Sequence, residues 1–370
     1  MKAGRESFGE MQRGTRVIGF HRRRADEAGV GCGMPKQNRL LALNPRSLVR
    51  LALPAILAVF LVSCGQEAAA PEALSVGTTT SEVNLLILIA QDRGYFAGNG
   101  LDVTHKIYPS GVAGIGGLID HEVDLVTGSE FALVTQVLSD RDICTVAVIN
   151  RSSIEHLVAR VDRGISSIYD LKGKTVGVPL GSRPEFALDR FLYFQGIDVS
   201  ELTLVDVPVD QSVGAIASGE VDAVAAWQPY IDQVKERLAG QVVSWSVQED
   251  QPSYTLLMSR TEWAAENQEP ISRFLRSLVE AETYVASNPE AVMAFLREEW
   301  GYEESYVASV WPEHRFSVML DQALVVAIED QARWIISRDL AGAREMPDFL
   351  RHVCEDGLEA VKPEAVNLIR

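Results

Sequence analysis

The sequence predicts an α/β protein with two lobes, and three observations support that fold class. Short apolar runs typical of strands alternate with segments of helical periodicity from Ala73 onward. Two β-rich runs of similar character, 157–161 and 254–259, enclose a self-contained set of strands and helices. The 370 residues are 47% hydrophobic, which is enough for two or three compact units.

The two β-rich runs are interpreted as paired crossover strands that join the lobes. Lobe 1 is then discontinuous and comprises 73–158 and 250–370, whereas lobe 2 comprises 159–249. Because α/β sheets usually bind ligands at the carboxyl ends of their strands, this topology predicts a binding cleft between the lobes.

Both lobes are predicted to contain strands separated by helices. Predicted strands lie at 74–77, 101–108, 123–126 and 144–149 in lobe 1, and at 175–178, 203–207 and 223–226 in lobe 2. The first helix is followed by Gly98-Asn99-Gly100, a common stop signal. After Thr261 the pattern is wholly helical, with predicted helices at 271–286, 289–299, 319–337 and 346–353.

The first 63 residues have the features of a secretion signal rather than of a domain. An apolar run at 48–62 follows an arginine-containing stretch and is shorter than the roughly 20 residues that a membrane span needs. It ends in Leu61-Val62-Ser63-Cys64, which resembles the lipobox of bacterial lipoproteins, where the cysteine is lipidated and the chain is cut just before it. We therefore expect export and a lipid anchor on Cys64.

The segments on either side of the apolar run fit the same interpretation. Residues 64–72 are small and polar and are expected to form a tether. Residues 1–33 extend unusually far upstream, so Met34 is interpreted as the true start of the signal; a twin-arginine signal is the alternative. The protein is expected on the periplasmic or extracellular face of a membrane.

Charge and cysteine content exclude several classes of function. The formal net charge is −17 and basic residues are concentrated before residue 64, so we expect no nucleic acid partner. The four cysteines form no CxxC pair and no zinc cluster, so neither a metal nor another cofactor is predicted. Cys144 and Cys354 are expected to be buried thiols rather than a disulfide, although an exported compartment permits a bridge.

Five short motifs, in the same order, resemble those of one family of solute-binding proteins. They are Arg93-Gly94-Tyr95-Phe96 with Gly100-Leu101-Asp102-Val103, Asp170-Leu171-Lys172-Gly173-Lys174-Thr175-Val176-Gly177-Val178, Gly219-Glu220-Val221-Asp222-Ala223, Trp227-Gln228-Pro229, and Pro363-Glu364-Ala365-Val366-Asn367. That family includes binding proteins for sulfonates, taurine, nitrate and the pyrimidine precursor of thiamine. The resemblance covers nearly all of 74–369.

The resemblance implies a type II periplasmic-binding-protein fold and closure of the lobes on a small-molecule ligand. It also implies delivery of that ligand to the permease and ATPase subunits of an ABC importer. In this family, ligand contacts come from loops at the carboxyl ends of strands and from the helix starts that follow. We expect a monomer that is not an enzyme.

Four helix starts are candidate ligand contacts, because their free N–H groups and positive dipole ends attract anions. They contribute Thr79, Ser81, Asn84, Ser110, Gly111, Ser129, Glu130, Ser182 and Arg183 to the predicted site. Gly111 and Gly114 permit close backbone approach either to a ligand or to a neighbouring element. Glu130 either suits the dipole of its own helix or faces the cleft, where it would favour an amine or a pyrimidine N–H.

Lobe 2 contributes the more distinctive candidates. Arg183 could hold a carboxylate or sulfonate through two hydrogen bonds, or could be an ordinary surface arginine. Ser182 and Glu185 have the spacing of a capping box. Trp227 could stack on a planar ligand or pack in the core. Asp210 fits a helix cap better than a ligand contact but belongs to the predicted site.

The predicted ligand is a small organic anion such as an alkanesulfonate, because helix starts act locally whereas net charge is screened beyond about 8–10 Å. A thiamine-precursor-like pyrimidine or another heterocycle is the alternative, which Glu130 and Glu185 would favour. An enzyme on the same fold is disfavoured by the export signal and by six scattered histidines without a nucleophile motif. An exported ligand sensor is a further alternative.

Overall fold

The structure is a computed structural model that describes residues 70–342 and 345–370. Its strands are β1 Glu72–Thr78, β2 Leu101–Ile107, β3 Leu125–Ser129, β4 Ile143–Ser152, β5 Glu155–Arg160, β6 Thr175–Val178, β7 Thr203–Asp206, β8 Ala223–Trp227, β9 Val242–Ser246, β10 Ser253–Arg260, β11 His314–Asp321 and β12 Val366–Asn367. The predicted signal and the lipidation site at Cys64 lie outside the described residues.

The helices surround the strands in chain order. They are α1 Leu85–Asp92, α2 Tyr95–Gly98, α3 Gly111–Ile119, α4 Glu130–Val137, α5 Arg183–Phe194, α6 Ser212–Ser218, α7 Tyr230–Arg237, α8 Thr261–Glu266, α9 Gln268–Ser287, α10 Pro289–Glu298, α11 Glu304–Val310, α12 Gln322–Ser337 and α13 Asp356–Glu359. Short 3-10 turns lie between several of these elements. No helix within the described ranges combines the length and the apolar character needed to cross a bilayer.

Two mixed sheets organise these elements. The first has the strand order β12-β11-β4-β10-β3-β1-β2, and the second has the order β7-β6-β8-β5-β9. In the first sheet β1 runs parallel to β2 and β3, and in the second β6 runs parallel to β7 and β8. Each sheet has its own buried hydrophobic clusters, so each forms the centre of a separate packed layer. The predicted α/β fold class is confirmed.

The chain changes sheets between Ser152 and Glu155 and returns between Ser246 and Ser253. The predicted pairing of the runs 157–161 and 254–259 is wrong. The first run lies mostly in β5, which pairs with β8 and β9, whereas the second lies in β10, which pairs with β3 and β4. Both runs are apolar because each belongs to an interior strand with a neighbour on either side. We propose to place the first lobe boundary at the sheet change rather than after 158.

The C-terminal region departs from the prediction in two ways. It is not wholly helical, because β11 pairs antiparallel with β4 and parallel with β12. Helix α12 therefore begins only at Gln322, where Asp321 accepts a hydrogen bond from the amide of Leu324 at 3.0 Å. The segment predicted as a helix at 346–353 contains only a 3-10 turn.

The two cysteines of the described residues form a disulfide, which corrects the expectation of buried thiols. Cys144 lies on β4 and Cys354 follows the 3-10 turn, with Cα atoms 5.9 Å apart. The backbone also connects the two segments, since the amide of Cys354 donates to the carbonyl of Thr145 at 2.9 Å. Their separation of 210 residues explains why local sequence patterns did not predict the bond.

Candidate functional site

A cavity of about 500 Å³ lies at the carboxyl ends of the parallel strands of both sheets. That volume falls within the roughly 300–1,000 Å³ usual for small-molecule sites. The first sheet and its helices contribute Thr79, Ser110, Gly111, Thr127, Ser129 and Tyr254, among others, and the second contributes Glu155, Gly181, Ser182, Arg183 and Trp227. A ligand in this cavity would contact both sheets.

Two helix starts from the first sheet border the cavity. Ser110 caps α3 by accepting a hydrogen bond from the amide of Ala113 at 3.2 Å, and Ser129 caps α4 by accepting one from Ala132 at 3.2 Å. The amides at the first two positions of each helix have no partner within the helix, because the i−4 carbonyl lies before its start. This wall of the cavity therefore offers hydrogen-bond donors to an acceptor or an anionic group.

The glycines of α3 allow close packing of the helix. A Cβ on Gly111 would lie 3.3 Å from the Cα of Gly128, and one on Gly114 would lie 2.8 Å from Val126. A Cβ on Gly117 would lie 2.0 Å from the hydroxyl of Tyr108, so a side chain there would displace that ring. Of the two interpretations for Gly114, packing against the sheet is therefore correct, whereas Gly111 both packs against β3 and lines the cavity.

Arg183 is neither a surface arginine nor an unpaired anion clamp. It lies in the first turn of α5, is 7% exposed, and is held between two carboxylates. Its Nε donates to Glu130 Oε1 at 2.7 Å, and its Nη1 donates to Glu155. Since Glu130 belongs to α4 beside the first sheet, this ion pair links elements of the two sheets.

Glu130 realises neither of its two predicted roles. It is fully buried behind the cavity wall, where its Oε2 accepts from the amide of Tyr254 at 3.0 Å and its Oε1 accepts from Gln331 Nε2 at 3.0 Å. Buried charges are tolerated when they are paired and hydrogen-bonded, as Glu130 is here. Its position predicts a structural contribution to the cavity floor.

Glu155 shares the guanidinium of Arg183 with Glu130 and lines the cavity directly. Burial raises the pKa of Glu155 to about 7; Arg183 opposes the increase, whereas the neighbouring Glu130 adds to it. The floor of the cavity therefore contains two carboxylates for one guanidinium. Such a floor attracts a proton or a hydrogen-bond donor.

The loop before α5 is stabilised differently from the predicted capping box. Ser182 precedes the helix, but its hydroxyl donates to the carbonyl of Pro179 instead of accepting from the helix. Glu185 accepts from the amide of Gly181 at 2.6 Å. Glu185 therefore orders the loop, while Ser182 remains at the cavity wall.

Trp227 ends β8 and lies directly opposite Glu155 in the β5–β8 ladder. It is half-buried, lines the cavity, and meets the ring of Tyr230 edge-on at 6.4 Å between centroids. An aromatic surface thus stands beside the carboxylate of Glu155. This arrangement suits a planar or alkyl group that also carries a donor.

Three other predicted residues lie outside the cavity wall. Ser81 accepts from the amide of Val83 at the start of a 3-10 turn, and Asp210 is an exposed residue of another such turn. Asn84 is buried, and its Nδ2 donates to the carbonyl of Thr79 at 3.0 Å and to its hydroxyl at 3.2 Å. Asn84 therefore positions Thr79, which does line the cavity.

Several cavity residues were missed because the first crossover was predicted too late. Ser152 and Glu155 flank the sheet change, and Ser253 and Tyr254 begin the returning strand. A local signal was present: the polar stretch 150–156 interrupts two apolar runs. No group of three or more potential metal-ligating side chains occurs within 70–342 and 345–370.

Two α/β sheets joined by two crossovers, with a cavity at their strand ends, define the class of periplasmic binding proteins. Residues 83–292, more than half of the chain, match the family model described as NMT1/THI5 like. The chain therefore belongs to the NMT1/THI5-like family, in agreement with the resemblance found in its motifs.

Curated relatives differ in what their names say they bind. A putative binding protein of Brucella abortus is 27% identical over 205 residues, which cover 55% of this chain and 63% of the relative. A formylaminopyrimidine-binding protein of Halalkalibacterium halodurans is 25% identical over 58% of this chain and 66% of its own length. A putative aliphatic sulfonates-binding protein of Bacillus subtilis is 23% identical over 51% of this chain and 59% of its own length.

Solved structures agree on the fold. The periplasmic aliphatic sulphonate binding protein SsuA of Escherichia coli has a TM-score of 0.66 at 18% identity, covering 76% of this chain and 97% of that protein. The desulfurization enzyme DszB has a TM-score of 0.60 at 15% identity, covering 79% and 99%. At such identities the likeness shows the fold alone, and this fold serves both binding proteins and enzymes.

Proposed function

We propose that the protein is an extracytoplasmic solute-binding protein that captures a small organic molecule and delivers it to the permease and ATPase of an ABC importer. The observation that carries this proposal is the cavity, whose walls come from two sheets connected by only two crossovers. A ligand that contacts both walls stabilises one relative position of the sheets. A permease can then distinguish the liganded protein from the empty one.

Lipid anchoring on Cys64 and export form part of this proposal. The lipobox-like sequence supports them, and the Cys144–Cys354 disulfide fits an oxidising compartment. Cys64→Ser should move the protein from the membrane fraction to the soluble fraction in a fractionation experiment, or leave it unprocessed. A variant that is processed and membrane-bound like the wild type would contradict the anchor.

The two walls of the cavity support a ligand with an acceptor end. The donor-bearing starts of α3 and α4 suit an anionic group such as a sulfonate, while Trp227 suits the organic part. Arg183 is a weaker argument for an anion than the sequence suggests, because two carboxylates already pair with it. A heterocycle with N–H donors is the second candidate, favoured by Glu155 beside Trp227.

A thermal-shift screen tests the ligand class. Alkanesulfonates, aminoalkanesulfonates, aminopyrimidines, nitrate and simple carboxylates would be added separately to the purified mature protein. A ligand at 100 times its Kd should stabilise the protein by about 2.7 kcal/mol, which is readily measured. If none of these compounds raises the melting temperature, the proposed ligand classes are wrong.

A binding role and an enzymatic role can be separated with the same compounds. Neither histidine nor cysteine lines the cavity among the described residues, which favours binding over nucleophilic chemistry. A compound that stabilises the protein should be recovered unchanged after prolonged incubation, as measured by mass spectrometry. Conversion of the compound at a rate proportional to protein concentration would favour an enzyme.

A further inference from the structure

Glu155 is held in place at the junction of the cavity and the two crossovers. It is the first residue of β5, immediately after the chain enters the second sheet, and only 5% of it is exposed. Its amide donates to Gln248 Oε1 at 2.8 Å, and Gln248 Nε2 donates to Ser253 Oγ at 3.0 Å. The backbone of Glu155 is therefore tied to both crossovers and is not free to move into solvent.

The charges around Glu155 do not balance among the described residues. Helix α5 brings Arg183 and helix α4 brings Glu130, while β8 and the second crossover bring only the neutral Trp227 and Gln248. One guanidinium thus serves two buried carboxylates. An additional uncompensated negative charge is costly in such surroundings, so the cluster favours one further positive charge.

The only open side of this cluster is the cavity, because Glu155 lines it whereas Glu130 is fully buried behind it. A ligand group that reaches Glu155 would lie beside the Trp227 ring and across the cavity from the starts of α3 and α4. An amine or N–H group at one end and an acceptor or anionic group at the other would satisfy both walls. Aminoalkanesulfonates and amino-substituted heterocycles have this character.

We propose, on the basis of the proposed binding function, that Glu155 recognises a cationic or N–H group of the ligand and carries a proton when that group is absent. Binding of an ammonium group to the neutral carboxyl releases that carboxyl proton to solvent, leaving a carboxylate–ammonium pair. Ligand binding at this site is thereby coupled to the release of one proton. The raised pKa of Glu155, about 7, fits this exchange near neutral pH.

The ligand-free protein provides the first test. A carboxyl whose folded pKa lies above its unfolded value stabilises the fold at low pH, and that contribution is lost as pH rises from about 4.5 to about 7. The melting temperature of the wild type should therefore fall across this range relative to that of Glu155→Gln. Glu201→Gln, which changes an exposed carboxylate paired with Lys172, should follow the wild type.

A matched pair of probes provides the second test. Taurine carries an ammonium group that ethanesulfonate lacks, and both are measured by calorimetry from pH 5 to pH 8 in buffers of different ionisation enthalpy. Taurine affinity for the wild type should rise toward about tenfold per pH unit below pH 7, with one proton released. Glu155→Gln should lose both effects, and ethanesulfonate should show neither.

Each outcome decides the proposal. A melting-temperature difference between wild type and Glu155→Gln that does not vary with pH overturns it, and so does equal binding of the two probes at every pH. If neither probe binds but the ligand-free difference has the expected slope, the proton on Glu155 is supported and the proposed aminosulfonate ligand is wrong. Should Glu155→Gln fail to fold, the infrared band of a protonated carboxyl in the wild type must disappear between pH 5 and pH 8, or the proposal fails.

Discussion

Two buried carboxylates in this molecule, Glu82 and Glu155, have opposite electrostatic surroundings. Glu82 lies in the 3-10 turn before α1, where it accepts from the hydroxyls of Tyr306 at 2.9 Å and Tyr302 at 3.3 Å and lies 3.6 Å from His314 Nε2. Burial alone would raise the pKa of Glu82, but His314 and Tyr306 hold it below its ordinary value. Glu155 is equally buried, and its pKa is raised.

The difference shows that burial by itself does not decide the charge of a carboxyl group. Glu82 has several donors directed at it, whereas Glu155 shares one guanidinium with a second carboxylate. The first arrangement is complete without a ligand, and the second gains from an additional donor. An interior site and a binding site can thus be distinguished by the donors available to each acid.

The largest expected effect comes from removing the shared cation. Arg183→Met leaves Glu130 and Glu155 buried without their partner and should cost about 3–5 kcal/mol of the free energy of unfolding, measured with urea at pH 7.5. Arg333→Met, which removes exposed pairs with Glu329 and Asp330, is the control and should cost less than about 1 kcal/mol. Equal losses in the two variants would show that the buried cluster has no special cost.

A second substitution separates affinity from stability at the cavity. Trp227→Ala should weaken ligand binding by about 1–3 kcal/mol, because the aromatic contact is lost, while the melting temperature without ligand changes little. Trp334 is the matched control, since it packs against Phe186 and donates to Asp189 at 2.7 Å. Trp334→Ala should instead destabilise the fold by about 3–5 kcal/mol. A large drop in melting temperature with intact affinity for Trp227→Ala would remove Trp227 from the site.

The smallest expected effect concerns the interior acid. Tyr306→Phe removes one donor to Glu82 and should cost about 1–3 kcal/mol at pH 7, by urea unfolding. Because the pKa of Glu82 is lowered in the fold, its contribution is present above about pH 4.5 and is lost as pH falls. The cost should therefore shrink in acid, opposite in direction to the pH effect expected at Glu155. Tyr193→Phe, on an exposed ring, is the control, and a cost that grows in acid would contradict the prediction.

Local signals in the sequence were sufficient to predict the fold class, the family and most helix starts. Ser110 and Ser129 precede their helices as expected, because a capping residue acts within three positions of itself. The partners of Arg183 were not predictable in this way, since Glu130 is 53 residues away and meets it only after the two sheets assemble. Strand β11 was missed for a similar reason: its pairing with β4 spans more than 160 residues.

The sheet order has a consequence for how the chain is made. The second sheet uses the continuous stretch 155–246, whereas the first needs β1 to β4 from before that stretch and β10 to β12 from after it. During synthesis the second sheet can therefore complete itself while the first still lacks its central partner β10 and its edge strands. Cys144 must likewise wait until Cys354 has emerged, so we expect the disulfide to seal the first sheet as one of the last events in the maturation of the chain.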